Sequence, residues 1–220
     1  MHKTPKTEIL DYDICALRSR HREVRQLKRL HSPSFHGFRI WPSSWLLMDF
    51  IEQRGMPKRI RLMEVGCGWG LAGIYCAKNH GAIVTCVDID AEVFPYVGLH
   101  AGINKVEIHT MQAGFDGISR KKLKDIDVMI GSDICFLDDM VTSLKALILR
   151  ALGAETKLVL IADPGRSPFE TMGSYFVENQ EGEIIDRSIN HPYPIQGRLL
   201  KIGSLNSNRA KEAKPPIPLR

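Results

Sequence analysis

The chain has no apolar run of membrane-spanning length and no charged-then-apolar leader, so the cytoplasm is its expected compartment. Its 5 cysteines (15, 67, 76, 86 and 135) are odd in number and widely spaced, and none forms C-x-x-C or a Cys/His ligand set. That excludes a zinc knuckle and a disulfide framework, and free thiols in a reducing compartment are expected. His31 and His36 lie in a polar connector and read as ordinary surface residues, so no metal is expected. Aromatics are only 7% of the chain and do not interleave with the basic residues, so nucleic acid is not an expected partner. There is no internal repeat.

What is present is an ordinary globular composition, 44% hydrophobic and 25% charged over 220 residues, enough for one domain with a real core. The net charge of +5 is uneven. Residues 1–30 carry eight Lys and Arg against four acids, and residues 204–220 carry four against one. The stretch between them has eighteen against twenty, so the basic character belongs to the ends. Within 1–30, Leu17, Val24, Leu27 and Leu30 keep one apolar stripe among Arg18, Arg20, Arg22, Arg25, Lys28 and Arg29, which predicts a basic helix. The tail, rich in Lys, Asn, Ser and Pro, is expected to be disordered.

From Pro42-Ser43 a helix is expected to begin, carrying Trp45 and Met48 at helical spacing. Then strand and helix alternate: strands about 61–65, 82–87, 106–111, 126–130 and 157–161, with helices about 69–79, 91–103 and 138–152. Such βαβα order predicts an α/β fold, a parallel sheet with helices on both faces. A helix over 170–179 and strands over 181–189 and 198–203 predict an antiparallel hairpin at the end.

The organising stretch is Arg61 to Gly70, an apolar strand ending in Glu64 and three alternating glycines at 66, 68 and 70. The apolar segment after it reads as a helix, so the glycines form a tight turn that lets a ligand approach the helix N-terminus. Asp88 ends the next strand, where its carboxylate suits a ribose diol. A dinucleotide needs G-x-G-x-x-G/A, but the third position here falls on Leu71. Glu64 would also repel a pyrophosphate and suits a ligand with a cationic end. A glycine turn in an unrelated α/β protein is the bland alternative.

This stretch resembles motif I of the class I S-adenosylmethionine-dependent methyltransferases, with Asp88 at their ribose position. The resemblance runs over residues 37–203, flanked by the 1–36 extension and the 204–220 tail. It implies a Rossmann-like, doubly wound sheet of seven strands, mostly parallel, with S-adenosylmethionine as cofactor. Trp41-Pro42, Gly131-Ser132-Asp133-Ile134-Cys135-Phe136 and Asp163-Pro164-Gly165-Arg166 are similar to segments of the lysine-methyltransferase and nicotinamide N-methyltransferase-like branch. Phe136 stands where that group has tyrosine. The implied cofactor residues are Trp41, Glu64, Gly66, Cys67, Gly68, Trp69, Gly70, Asp88, Ile89, Gln112, Ala113, Gly131 and Ser132, with Asp116 as an alternative to Gln112. The implied catalytic residues are Asp133 and Phe136. For Asp163 and Arg166, a loop-stabilising ion pair and a substrate contact are both open readings. The expected acceptor is a protein lysine, on a partner whose acidic surface would suit the basic ends, or else a small amine. A non-catalytic module binding RNA or a protein is the remaining alternative.

Overall fold

A computed structural model describes residues 7–34 and 36–205. Of the tail expected over 204–220, residues 206–220 lie outside the described residues.

The N-terminal region corrects the first expectation. Residues 1–6 of the helix expected over 1–30 lie outside the described residues, and from residue 7 the chain instead makes a hairpin of β1 (Glu8–Asp11) and β2 (Ile14–Leu17), followed by one short helix, α1 (Arg22–Leu27). Tyr12 and Asp13 both take positive φ, 48° and 55°, which is how a two-residue turn follows the twist of its strands. Ile9, Ile14 and Ala16 are buried. Two polar side chains hold β2 down. The Leu17 amide donates to His100 Nε2 (3.1 Å), and the Cys15 amide donates to Asn104 Oδ1 (2.8 Å) while Asn104 Nδ2 returns a bond to the Cys15 carbonyl (2.8 Å). His100 is fully buried, and burial holds its imidazole below the ordinary value, that is, neutral. Of the expected stripe, Leu17 and Val24 are buried, whereas Leu30 is 75% exposed.

The rest follows the expected alternation. α2 (Ser43–Arg54) leads to β3 (Arg61–Val65), α3 (Leu71–His80), β4 (Ile83–Asp88), α4 (Phe94–Asn104) and β5 (His109–Gln112). Then come α5 (Arg120–Leu123), β6 (Val128–Ser132), α6 (Asp138–Gly153), β7 (Leu158–Asp163), α7 (Ser167–Asn179), β8 (Gly182–Ile189) and β9 (Ile195–Gly203). The sheet has seven strands in the order β5-β4-β3-β6-β7-β9-β8. β3 to β7 pair in parallel, and β9 enters antiparallel between β7 and β8.

Both faces of this sheet are covered, which explains why its strands read as near-continuous apolar runs. Successive residues of β7 serve opposite sides. Leu158, Leu160 and Ala162 join the core under α2 and α3, while Val159 and Ile161 join the core under α6 and α7. Full burial of each such Leu or Ile contributes about 1.5–3 kcal/mol. The winding reverses at β3, flanked by β4 and β6, so a crevice opens beyond their carboxyl ends. No helix among the described residues is long and apolar enough to cross a membrane.

Candidate functional site

That crevice is a cavity of about 790 Å³, within the range of small-molecule sites. Its floor is the glycine turn after β3. Gly66, Gly68 and Gly70 all lie in the left-handed region, at φ 60°, 51° and 70°, which explains their alternation. A Cβ at Gly66 would come within 2.5 Å of Ile134 Cγ2, whereas one at Gly68 would meet no protein atom within 4 Å. The turn is held by Asp88, whose Oδ2 accepts from the Gly68 amide (3.0 Å) and Oδ1 from the Asp90 amide (3.1 Å). Burial raises the Asp88 carboxyl, and the amides of Asp90 and Gly68 oppose that rise.

Glu64 sits beneath the start of α3. Its Oε2 accepts from the Gly73 amide at 2.9 Å, which uses the donor end of the helix to hold an acid. The packing is so close that a Cβ at Gly73 would stand 2.7 Å from that oxygen. Burial nevertheless pushes the Glu64 carboxyl up to about 7, against the pull of the amides. An acid raised in the folded state gives stability that is complete below its unfolded value of 4.5 and lost as pH rises through about 7. We therefore expect the urea midpoint of the ligand-free protein to fall between pH 5 and 8, by up to roughly 3 kcal/mol in stability. Glu64→Gln should flatten that slope, and an equal slope in the variant would assign the pH dependence elsewhere.

The opposite side of the cavity is a turn after β5. Ala113 to Gly117 line it, and Asp116 accepts from the Ser143 hydroxyl of α6 (2.8 Å). Gln112 does not line the cavity; its side chain is exposed and donates to the Ile89 carbonyl (3.2 Å). Between the two alternatives, the structure therefore brings Asp116 to the site. Gly131 is also outside the lining, because it lies within β6 where a Cβ would meet Ile134 Cδ1 at 2.6 Å and the Val65 carbonyl at 3.2 Å. It is a packing glycine. Trp41, Glu64, Gly66, Cys67, Gly68, Trp69, Gly70, Asp88, Ile89, Ala113, Ser132, Asp133 and Phe136 all reach the cavity wall. Trp69 does so with only its edge to spare. Its ring stacks on Tyr96 (5.1 Å, 7°) and its Nε1 donates to the Gly37 carbonyl (2.9 Å).

At the mouth, charge and aromatic rings meet. Asp133, at φ 54°, is buried, and its Oδ2 accepts from the Ser43 amide (2.8 Å) at the start of α2. Its Oδ1 accepts from Arg166 Nη2 (3.1 Å), while Arg166 Nη1 donates to Asp163 Oδ2 (2.6 Å). Asp163 Oδ1 also takes the amides of Gly165 (2.9 Å) and Arg166 (2.8 Å). Burial raises the Asp163 carboxyl despite these donors. One guanidinium thus ties together the ends of β6 and β7 and the start of α2. It also lies 4.2 Å from the centroid of the Phe136 ring. Phe136 in turn stacks on His36 (4.5 Å, 17°) and meets Trp41 edge-on (5.3 Å).

Sequence reasoning missed His36, which lines the cavity, and the first turns of α6, where Leu137, Asp139, Met140 and Ser143 contribute. His36 is five residues before Trp41, and nothing at that spacing signals that its ring will meet Phe136. Chemically, the wall carries five acids (Glu64, Asp88, Asp116, Asp133 and Asp139) against one arginine, Arg39. A pyrophosphate finds no cationic cradle there. A nucleoside with a cationic arm does find acids beneath a glycine turn.

Comparison with known proteins agrees with this. A family model described as lysine methyltransferase matches residues 30–181. The histidine protein methyltransferase 1 homolog of Dictyostelium discoideum is 40% identical over 58 residues, a stretch covering 26% of this chain and 18% of that protein. Among solved structures, the precorrin-6y C5,15-methyltransferase of Geobacter metallireducens superposes with a TM-score of 0.59 at 7% identity, over 80% of this chain and 95% of that one. A SAM-dependent methyltransferase of Agrobacterium tumefaciens gives 0.59 at 13% identity, over 79% and 70%. At such identities the structures speak for the fold.

Proposed function

Because this chain belongs to the lysine methyltransferase family, and is thereby an S-adenosylmethionine-dependent methyltransferase, we propose that its acceptor is the side-chain amine of a protein lysine. The observation that carries this reading is the charge balance at the mouth. Asp133 and Asp163 share the single guanidinium of Arg166, so the buried cluster sums to −1 beside the rings of Trp41, Phe136 and His36. That residual negative charge attracts an ammonium, and even with Arg39 seated on Trp41 the cavity wall carries five acids to one cation.

The residues of the cavity fit the donor. Gly68 leaves open space above the turn, Asp88 suits a ribose diol, and Glu64 suits a cationic amino-acid end. When bound, S-adenosylmethionine supplies a methyl group activated by a sulfonium. What the chain adds is position and exclusion of water. Asp133 is buried and already paired with the Arg166 guanidinium, so its part is to fix the start of α2 and hence Trp41. Phe136 and Trp41 wall the place where an amine would enter. Phe136 has no hydroxyl, so that wall offers no hydrogen bond there, and its ring packs against His36 and Arg166.

The test is transfer of labelled methyl from S-adenosylmethionine into a cell lysate, followed by acid hydrolysis of the protein fraction. Label in methyl-lysine supports the reading. Label in methyl-histidine would favour a histidine acceptor, the reading suggested by the name of the Dictyostelium relative. Label confined to the metabolite fraction would point to a small amine instead.

A further inference from the structure

We propose that His36 is the proton acceptor for the incoming amine. This rests on the lysine reading above. A lysine amine is protonated at neutral pH and has no lone pair to give until a proton leaves. The obvious acid at the mouth, Asp133, is buried and already ion-paired with Arg166 (3.1 Å). His36 is differently placed. Its ring lies on the cavity wall, stacked on Phe136 and edge-on to Trp41 at 5.8 Å. Neither of its ring nitrogens has a hydrogen bond or ion pair among the described residues, and the residue is exposed to solvent.

The backbone aims this ring. His36 sits at φ 62°, a conformation that a non-glycine residue adopts only at a cost, and Trp41 Nε1 donates to its carbonyl (2.8 Å). The connector is anchored further back by the Ser34 hydroxyl on Asp90 Oδ2 (2.8 Å) and by His31 against Glu92 (3.2 Å). The charged groups around the ring are Arg166 on Phe136 and Arg39 on Trp41, with Asp133, Asp139 and Asp116 on the same cavity. The ring is exposed, so a proton taken there passes on to water. An imidazole is the side chain whose proton exchange is easiest near neutrality.

The step balances as follows. The ammonium of the acceptor gives one proton to a ring nitrogen of His36, which releases it to solvent. The freed lone pair forms the N–C bond as the C–S bond of the methyl donor breaks, its electron pair leaving on sulfur. His36 also accounts for Phe136, because the imidazole stacked on that ring supplies a polar group where a tyrosine hydroxyl is missing.

The experiment compares wild type with His36→Asn and His36→Ala, counting methyl-lysine formed in lysate protein across a pH series. Near pH 7 the variants should be slower by roughly tenfold to a hundredfold. The deficit should shrink as pH rises toward ~10.4, where half of the free amine has lost its proton unaided, and added imidazole should restore part of the His36→Ala rate. Calorimetric binding of S-adenosylhomocysteine should be unchanged in both variants. A deficit that is constant with pH, or affinity for S-adenosylhomocysteine that falls tenfold, would overturn the proposal and make the ring a packing element. Absence of methyl-lysine with wild type would instead sink the lysine reading itself.

Discussion

Replacing Asp88 by alanine should weaken S-adenosylhomocysteine about a hundredfold, or about 2.7 kcal/mol, in calorimetric titration. Two losses add. The carboxylate orders the glycine turn by accepting the Gly68 amide, and its remaining lone pairs are the acceptors a ribose diol would use. Hydrogen bonds to a charged group contribute about 1.5–3 kcal/mol each, so removing more than one easily reaches this size. Asp88→Asn keeps an oxygen for Gly68 and should fall between the two proteins. NAD should remain silent throughout, given the acids on the cavity wall. An Asp88→Ala protein that binds as tightly as wild type would remove this carboxylate from the ligand site.

The second large effect concerns Arg166. With its side chain removed, Asp133 and Asp163, at 2% and 0% side-chain exposure, lose the cation between them. Leaving a buried charge unpaired typically costs about 3–5 kcal/mol. Amides at Ser43, Gly165 and position 166 remain, so the lower figure applies, and the melting temperature should drop by roughly 6–12 °C. The pH dependence identifies the cause. Loss of the cation removes what opposes burial at Asp163, whose carboxyl is already raised, so the folded variant takes up protons there as pH falls. Its deficit should therefore be largest near pH 8 and narrow on acidification toward the ordinary carboxylate range. A deficit that does not change with pH would mean that Arg166 acts through packing on Phe136 alone.

Much of this architecture was legible because it is local. β3 and β7 are apolar runs bounded by turns, and β3 begins and ends at Arg61 and Val65 as expected. β7 extends past the expected 157–161 to Asp163, because Ala162 and Asp163 go on pairing with Leu199 and Arg198 of β9. The glycine turn was legible for the same reason, since spacing alone fixes three positive φ values. What was not legible depends on partners far along the chain. Leu17 sits at helical spacing from Val24 and suits a strand equally well. The choice is made by His100 and Asn104, which no window around residue 17 contains. His36 is hidden similarly, since its role depends on Phe136, one hundred residues later. For Gln112 and Asp116, the deciding fact is where β5 ends, the least certain feature of any strand read from sequence.

The hairpin has a consequence for how the chain is made. Its two anchoring side chains lie 83 and 89 residues downstream of the amides they satisfy. On a ribosome, β1 and β2 emerge long before α4 exists, with Ile9 and Ile14 bare and the amides of Cys15 and Leu17 unmet. A two-stranded ribbon is marginal on its own, so this segment must wait, and it closes over α4 only once β3, α3 and β4 have been synthesised. Its arrival also fixes Leu17 against Val24, Trp69 and Tyr96. The earliest described piece of the chain is thus among the last to settle, and its settling completes the packing around Trp69, a residue of the cavity wall.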